Sequence, residues 1–329
     1  MPIARTSPRP GISWIEGASC PLPACFELKL ALKVDVDTYR GTREGVPRLA
    51  ELLRKYGAGA SFFFSLGPDH TGRAIKRVFR PGFMSKVSRT SVLEHYGAAT
   101  LLYGTLLPGP DIGTRCAGVM REVRDQGFHV GIHCWDHVKW QDGVAAADAK
   151  WTEAQMQLAA TRFEQVLGEA AKAHAAAGWQ TNVHALRLSQ RLGLAFCSDT
   201  RGTCPFVPVW NAEPMACPQI PTTLPTLDEL VGLNGVTREN VAQTVLKASE
   251  NPRPSGHVFT LHAELEGGKF LPQFEQLLAG WKSLGYEFVS LMEVGTALNT
   301  SMLPRHEVVF GSVPGRSGTL AVQGKEFLT

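Results

Sequence analysis

Apolar and polar residues trade places along the chain in two alternating rhythms. From Phe26 to Asp37 the sequence FELKLALKVDVD sets Leu28, Leu30, Leu32, Val34 and Val36 on one face, the period-2 pattern of a strand. Val46, Leu49, Leu53 and Tyr56 then recur at helical spacing, opened by Pro47 in a first turn that tolerates it and closed by Gly57 and Gly59. The same exchange continues with a strand at Ser61–Leu66, a helix near Ala117–Asp125, and the strand FHVGIH ending at His133. Helices over Thr152–Leu167 and Val183–Arg191 follow, then the strand LAFCSD, a helix around Arg238–Ser249, and the strand HVFTLH ending at His262. A helix near Phe274–Leu284 and the strand EFVSLM complete the series. Repeated strand-then-helix order predicts an α/β fold with a parallel sheet. Periodicity alone leaves open whether that sheet is flat or closed into a barrel. No internal repeat or low-complexity linker divides the chain. The reading is therefore one domain over 26–300, an irregular N-terminal extension over 1–25 and a C-terminal tail over 301–329.

Composition narrows the function mainly by exclusion. A chain of 329 residues, 44% apolar, can bury the core of an enzyme-sized domain. Its formal net charge of +3 gives no general argument for nucleic acid as a partner. Seven cysteines without a Cys-x-x-Cys pair argue for reduced thiols, mostly small buried hydrophobes, rather than a disulfide framework. Neither a signal-peptide core nor a run long enough for a transmembrane helix is read in the sequence, so an intracellular protein, bound at most to a membrane surface, is expected.

The chemistry gathers where the predicted strands end. Asp35 and Asp37 lie two apart, so the pleat sends both carboxylates to the side opposite Val34 and Val36. Two carboxylates that close call for a cation or a shared proton. His133 ends one strand and His137 follows four residues later, a spacing that brings two imidazoles to one point. His262 ends another strand. Taken singly, an Asp-x-Asp pair reads as a strand-end cap, and a lone histidine as a satisfied loop residue. Together at three strand ends they form a coherent site, because α/β barrels collect catalytic groups at the C-terminal ends of different strands. Two histidines and a carboxylate leave metal positions open to water and substrate. His70, His95, His174 and His184 have no comparable setting and read as structural.

KVDVDT, HCWDH and FTLHAE, in that order, resemble the NodB-homology polysaccharide deacetylases, whose fold is a distorted (β/α) barrel. DVDTYRGTREGVPRL, ASFFFSLGPDHTGRA, HAAAGW, SDTRG, QIPTTLPTLDE and HAELEG narrow the resemblance to a branch. Its members are bacterial deformylases of undecaprenyl-phosphate-linked 4-deoxy-4-formamido-L-arabinose, which serve the aminoarabinose modification of lipid A. The resemblance implies one divalent metal ion (Zn, Co, Mn or Fe) held by Asp37, His133 and His137, Asp35 as catalytic base and His262 as general acid. Many members carry a base-orienting Arg in the motif matching HAAAGW, and this chain has none there. Arg201 beside Asp35 and Asp199 beside His262 are the expected substitutes. Other readings stay open, namely a deacetylase of a different N-acyl sugar or peptidoglycan fragment, and a catalytically silent sugar- or lipid-binding barrel.

One basic stretch remains. HTGRAIKRVFRPGFMSKVSRT carries Arg73, Lys76, Arg77, Arg80, Lys86 and Arg89 among Phe79, Phe83 and other apolar residues, with no acidic residue between Asp69 and Glu94. An ordinary barrel helix has such a composition, and so does an interfacial one. The implied lipid-linked substrate favours the latter: a peripheral anchor on the anionic cytoplasmic face of the inner membrane, touching it through Arg73, Lys76, Arg77, Phe79, Arg80 and Phe83. Arg40 and Arg43 are then candidates for the lipid phosphate.

Overall fold

A computed structural model describes residues 28–74 and 98–328 of the chain. Its centre is β1 (Lys29–Val36), a strand buried on both faces. Leu30, Leu32, Val34 and Val36 point outward into a core shared with helices Val46–Lys55, Val241–Ala248 and Leu271–Ser283. Ala31, Lys33 and Asp35, one residue out of phase, belong to the other face and are just as buried. This two-sided burial is what a parallel strand flanked by helices experiences.

β2 (Ser61–Ser65), β3 (His129–Cys134), β4 (Ala173–His174), β5 (Phe196–Cys197), β8 (His257–His262) and β9 (Glu287–Val289) join β1 in one parallel sheet. Its order is β5-β4-β3-β2-β1-β8, with β9 also pairing β1. The strip 218–224 closes the circle irregularly. Ile220 N donates to Cys197 O of β5, while Thr223 N and Leu224 N both donate to Val258 O of β8. Pro218 and Pro221 lack the N–H groups a regular ladder needs, so the seam stays bridged rather than laddered. The result is the expected distorted (β/α) barrel. Its floor is a plug of Ala31, Phe63, Phe196, Ile220 and Val258 under helix Leu291–Ala297, each large side chain stabilising by roughly 1.5–3 kcal/mol through burial.

The expectation of an irregular tail over 301–329 is corrected. β10 (Arg305–Gly311) and β11 (Leu320–Glu326) form a hairpin that joins β6 (Val207–Trp210) and β7 (Glu213–Pro214) in a second sheet, ordered β11-β10-β6-β7. Mixed polar residues and a Pro-Gly-rich turn hide these strands in the sequence. Only His306 and Val308 of β10 and Leu320 to Gln323 of β11 are buried. The hairpin is pinned to the barrel rim, since Arg201 N donates to Ala321 O and Gln323 N donates to Arg201 O. Residues 1–25, expected as an extension, lie outside the described residues.

Candidate active site

Asp37, His133 and His137 converge at the C-terminal ends of β1 and β3. His133 Nε2 lies 3.2 Å from Asp37 Oδ1, and His137 Nε2 lies 3.4 Å from Asp37 Oδ2. The two imidazole rings are 5.4 Å apart, tilted by 30°. His133 arrives at the end of β3, whereas His137 opens helix His137–Gly143, whose N-cap Asp136 accepts from Lys139 N. Asp136 also receives His70 Nδ1 at 2.6 Å, so His70, read as structural, braces the segment that carries His137.

Several of these polar atoms are buried without a hydrogen bond. His133 Nδ1 donates to Ala175 O at 2.6 Å, which turns Nε2 toward Asp37 as the ring atom placed to bind a metal. That Nε2, Asp37 Oδ1 and Asp35 Oδ1 are all buried with no hydrogen bond. Burial works against ionised Asp37, yet His137 and His133 outweigh it and hold the carboxyl far below its ordinary range. Burial likewise lowers His133, and Asp35 and Asp37 reverse that, raising it. Two carboxylates facing two imidazoles at this spacing make a place suited to positive charge. Two imidazole nitrogens and a carboxylate, gathered within ligand distance of one another, fit a divalent metal.

Asp35 lies beside this cluster, its Oδ1 3.8 Å from His133 Nδ1. Its cationic neighbour is Lys33, one pleat earlier on the same face, with Nζ 3.3 Å from Asp35 Oδ2 and no solvent exposure. Arg201 does not occupy that place. Its guanidinium pairs with buried Glu229 and donates to Leu224 O and Thr222 O. Asp199 is not the partner of His262 either. Its carboxylate accepts from His174 Nδ1 and Ala176 N, both at 2.8 Å, and from Gln219 Nε2. Both pairings expected from the sequence are thus corrected, because each side chain is consumed by the rim segment packed nearest to it. Asp199 still reaches the cluster indirectly. By clasping residues 174 and 176 it holds the Ala175 carbonyl on which His133 is fixed. His174, Cys197 and Asp199 form a second group close enough to hold an ion, but the His174–Asp199 hydrogen bond already satisfies it.

His262 ends β8 on the far side of the same mouth. Its neighbours come from elsewhere in the chain. Asp228 Oδ1 is 3.9 Å from His262 Nδ1, and the Trp179 ring stands edge-on with centroids 6.3 Å apart. Arg316, from the turn between β10 and β11, lies 4.7 Å over Trp179, 3.2 Å from Asp228 Oδ2 and 2.9 Å from Glu229 Oε1. Asp228 stands in the motif QIPTTLPTLDE, but nothing in that string ties it to His262, and Arg316 lies in no motif at all.

The motifs DVDTYRGTREGVPRL and HAELEG prove to be one interlocked feature. Glu264 Oε1 accepts from Asp37 N, Thr38 N and Thr38 Oγ1, fixing the chain immediately after β1. A Cβ on Gly41 would sit 1.9 Å from that oxygen, and one on Gly45 would sit 2.0 Å from Ala263 O. Glycine is demanded there by close approach. Burial pushes Glu264 well above the carboxylate range and Glu266, which accepts from His262 N, up to about 8.

Arg40 and Arg43 lie on the helical turn that leaves this clamp, and both are paired with Glu44. Arg73 donates to Gly104 O. Lys76, Arg77, Phe79, Arg80 and Phe83 lie outside the described residues. The five described cysteines are buried, and no disulfide joins any of them to another described residue. Among the described residues no helix is long and apolar enough to cross a membrane.

A parallel barrel carrying this Asp, His and His cluster at its C-terminal mouth defines a class that comparison makes explicit. The polysaccharide deacetylase family model matches residues 29–197. The chain belongs to that family, and so is a hydrolase of the deacetylase and deformylase class acting on carbon–nitrogen bonds. It is 37% identical over 296 residues, 90% of this chain and 94% of the relative, to a protein of Shewanella sediminis (strain HAW-EB3). That relative is named Probable 4-deoxy-4-formamido-L-arabinose-phosphoundecaprenol deformylase ArnD. A protein of the same name from Wigglesworthia glossinidia brevipalpis is 30% identical over 286 residues, 87% of this chain and 99% of the relative. The fold is shared with a polysaccharide deacetylase structure from Mycobacterium smegmatis, at a TM-score of 0.58 and 13% identity, covering 93% of this chain and 99% of that one.

Proposed function

We propose that this protein removes the N-formyl group from 4-deoxy-4-formamido-L-arabinose carried on undecaprenyl phosphate, with one divalent ion held by Asp37, His133 and His137. The observation that carries the reading is the convergence of Asp37, His133 and His137 at the barrel mouth, flanked by a carboxylate and an imidazole on opposite sides. The relatives named above support the choice of acyl group and sugar. A bound ion supplies Lewis acidity toward the amide carbonyl and toward water. Asp35 accepts the proton of the attacking water on its free Oδ1. The water oxygen joins the formyl carbon, the carbon–nitrogen bond breaks, and His262 gives a proton to the departing sugar nitrogen, which would otherwise leave as an amide anion. The products are formate and a free amine. Histidine and carboxylate ligands suit Zn, Co, Mn and Fe alike.

The lipid tail requires the enzyme to meet its substrate at a surface. A peripheral position on the anionic cytoplasmic leaflet is therefore part of the proposal, and an apolar turn supports it. Leu106 is 80% exposed there beside half-exposed Leu107, and Gly72, adjoining Arg73, is bonded to that turn.

The test presents the formylated lipid-linked sugar in anionic vesicles, with and without chelator, and reads loss of the formyl group by mass spectrometry. Wild type should co-sediment with the vesicles and deformylate, and chelator should stop the reaction. Asp35→Asn and His262→Ala should keep the metal and lose about 10²–10⁴-fold in turnover. Turnover of an acetylated analogue with the formylated one untouched would move the reading to another N-acyl sugar. Binding without turnover of either would leave a silent barrel.

A further inference from the structure

Lys33 is a fully buried ammonium in the barrel wall, and the family motif supplies no reason for it. Its Nζ donates to Ser198 O at 3.0 Å, lies 3.3 Å from Asp35 Oδ2, and faces the Trp179 ring at 5.3 Å. Burying a cation without compensation costs several kcal/mol. Burial does pull its pKa down, against Asp35 and Asp199, which raise it. A lysine kept at 0% exposure is kept for its charge and its reach, since an apolar residue would pack there at less cost.

We infer that Lys33 is the positioning residue of the catalytic base, holding Asp35 Oδ2 so that Oδ1 alone faces the reacting water. It takes over the task for which this chain has no arginine at 174–179. The geometry explains why β1 can host it. Positions 33, 35 and 37 fall on one face at the pleat repeat, so the cation, the base and the metal-ligand carboxylate stand in a row along one strand. Ser198 O fixes the far side of the ammonium from the rim after β5. The same rim carries Asp199, which holds the loop bearing the Ala175 carbonyl. Base and metal-ligand imidazole are thereby referred to one backbone segment. Two oxygens of a free carboxylate would compete for the water's proton in rotating geometries. Pinning one removes that freedom, an effect that appears in turnover rather than in substrate binding.

This inference rests on the role proposed for Asp35, and its test separates the two. Lys33→Met is expected to lower kcat by about 10–100-fold, with KM and metal content near those of wild type. In the Asp35→Asn background the same change should cost less than about three-fold further, since the carboxylate to be held is gone. In the metal-free protein, Lys33→Met should lower the melting temperature by stranding a buried carboxylate, and adding Asp35→Asn should restore part of that loss. Lys33→Ala provides the check if the methionine variant does not fold, because n-propylammonium should then recover part of kcat. A Lys33→Met enzyme within three-fold of wild type, full multiplication of the two losses in the double variant, or an alanine variant that no alkylammonium rescues would overturn the inference. A wild type inactive on the lipid-linked sugar would defeat the substrate assignment, while the metal-free melting cycle would still report whether Lys33 and Asp35 are coupled.

Discussion

The two sides of the barrel mouth are built by different rules. On the metal side, Lys33, Asp35 and Asp37 come from one strand, and His133 and His137 from five consecutive residues, so local periodicity places every group. On the His262 side, the imidazole's neighbours are Asp228, 34 residues upstream by sequence number, Trp179 from the segment after β4, and, through them, Arg316 from the C-terminal hairpin. A site that must hold an ion tolerates little positional error, and short, rigid spans meet that demand. A group that must only deliver a proton can be oriented by remote chain, at the cost of depending on how the whole rim closes.

The largest effect should come from the metal side. His133→Ala is expected to remove the ion and lower turnover by at least about 10³-fold, with metal analysis and single-turnover assays as the readouts. Full metal occupancy in a His133→Ala, His137→Ala double variant would break the comparison, because the compact span would then not be the ligand set.

On the other side the expected effect is smaller and differs in kind. Arg316→Met should reduce turnover by about 10–100-fold while the metal stays in place, because Asp228 loses the cation that holds it against His262. The melting temperature should also fall, since buried Glu229 loses one of its two charged partners among the described residues and keeps Arg201. Loss of metal in this variant would show that the two sides form one cooperative unit. Asp228→Asn should reproduce the loss of turnover with a milder effect on melting.

The same asymmetry explains what could be read from the sequence. β1, β2, β3 and β8 announce themselves by alternation, and their end residues are the site. The helices Val46–Lys55 and Val183–Arg191 match their apolar spacing because each packs one face on the barrel. β10 and β11 did not register, since few of their positions are buried and a Pro-Gly-rich turn joins them. The two-residue strands β4 and β5 owe their pairing to neighbours rather than to any pattern of their own. Lys33 was legible in one sense, as a charge on the interior phase of a strand that also carries Asp35 and Asp37. A lysine invites a reading as solvated, and only the closed barrel shows that this phase has no solvent. Arg201 and Asp199 of SDTRG suit the duty of the arginine missing at 174–179 by residue type, but the rim's own hydrogen bonds take them instead.

The smallest effect on turnover sharpens the comparison from behind the metal side, where the His174–Asp199 pair is a remote prop under a local cluster. Burial alone would lower His174, and Asp199 outweighs it and holds the imidazole at about 9. Burial likewise opposes ionised Asp199, and His174 reverses that, lowering its pKa. Below an unfolded histidine pKa of about 6.5, both folded and unfolded chains carry the His174 proton and the pair contributes in full. Between there and about 9 the folded protein holds a proton that the unfolded chain has released, so this contribution falls as pH rises, and above about 9 it is gone. The Asp199 part behaves oppositely, being present above about 3.9 and lost on acidification. Glu266, raised to about 8, also weakens the fold across part of the alkaline window, so the wild-type curve alone does not isolate the pair. The stability difference between wild type and His174→Gln does. It should shrink by up to roughly 3 kcal/mol between pH 6.5 and 9, at 1.36 kcal/mol per pKa unit, while turnover at neutral pH changes less than about ten-fold. Urea unfolding of both proteins across that range measures it. A difference independent of pH would mean that His174 is held neutral, and that the loop bearing the Ala175 carbonyl is secured by hydrogen bonds without an ion pair.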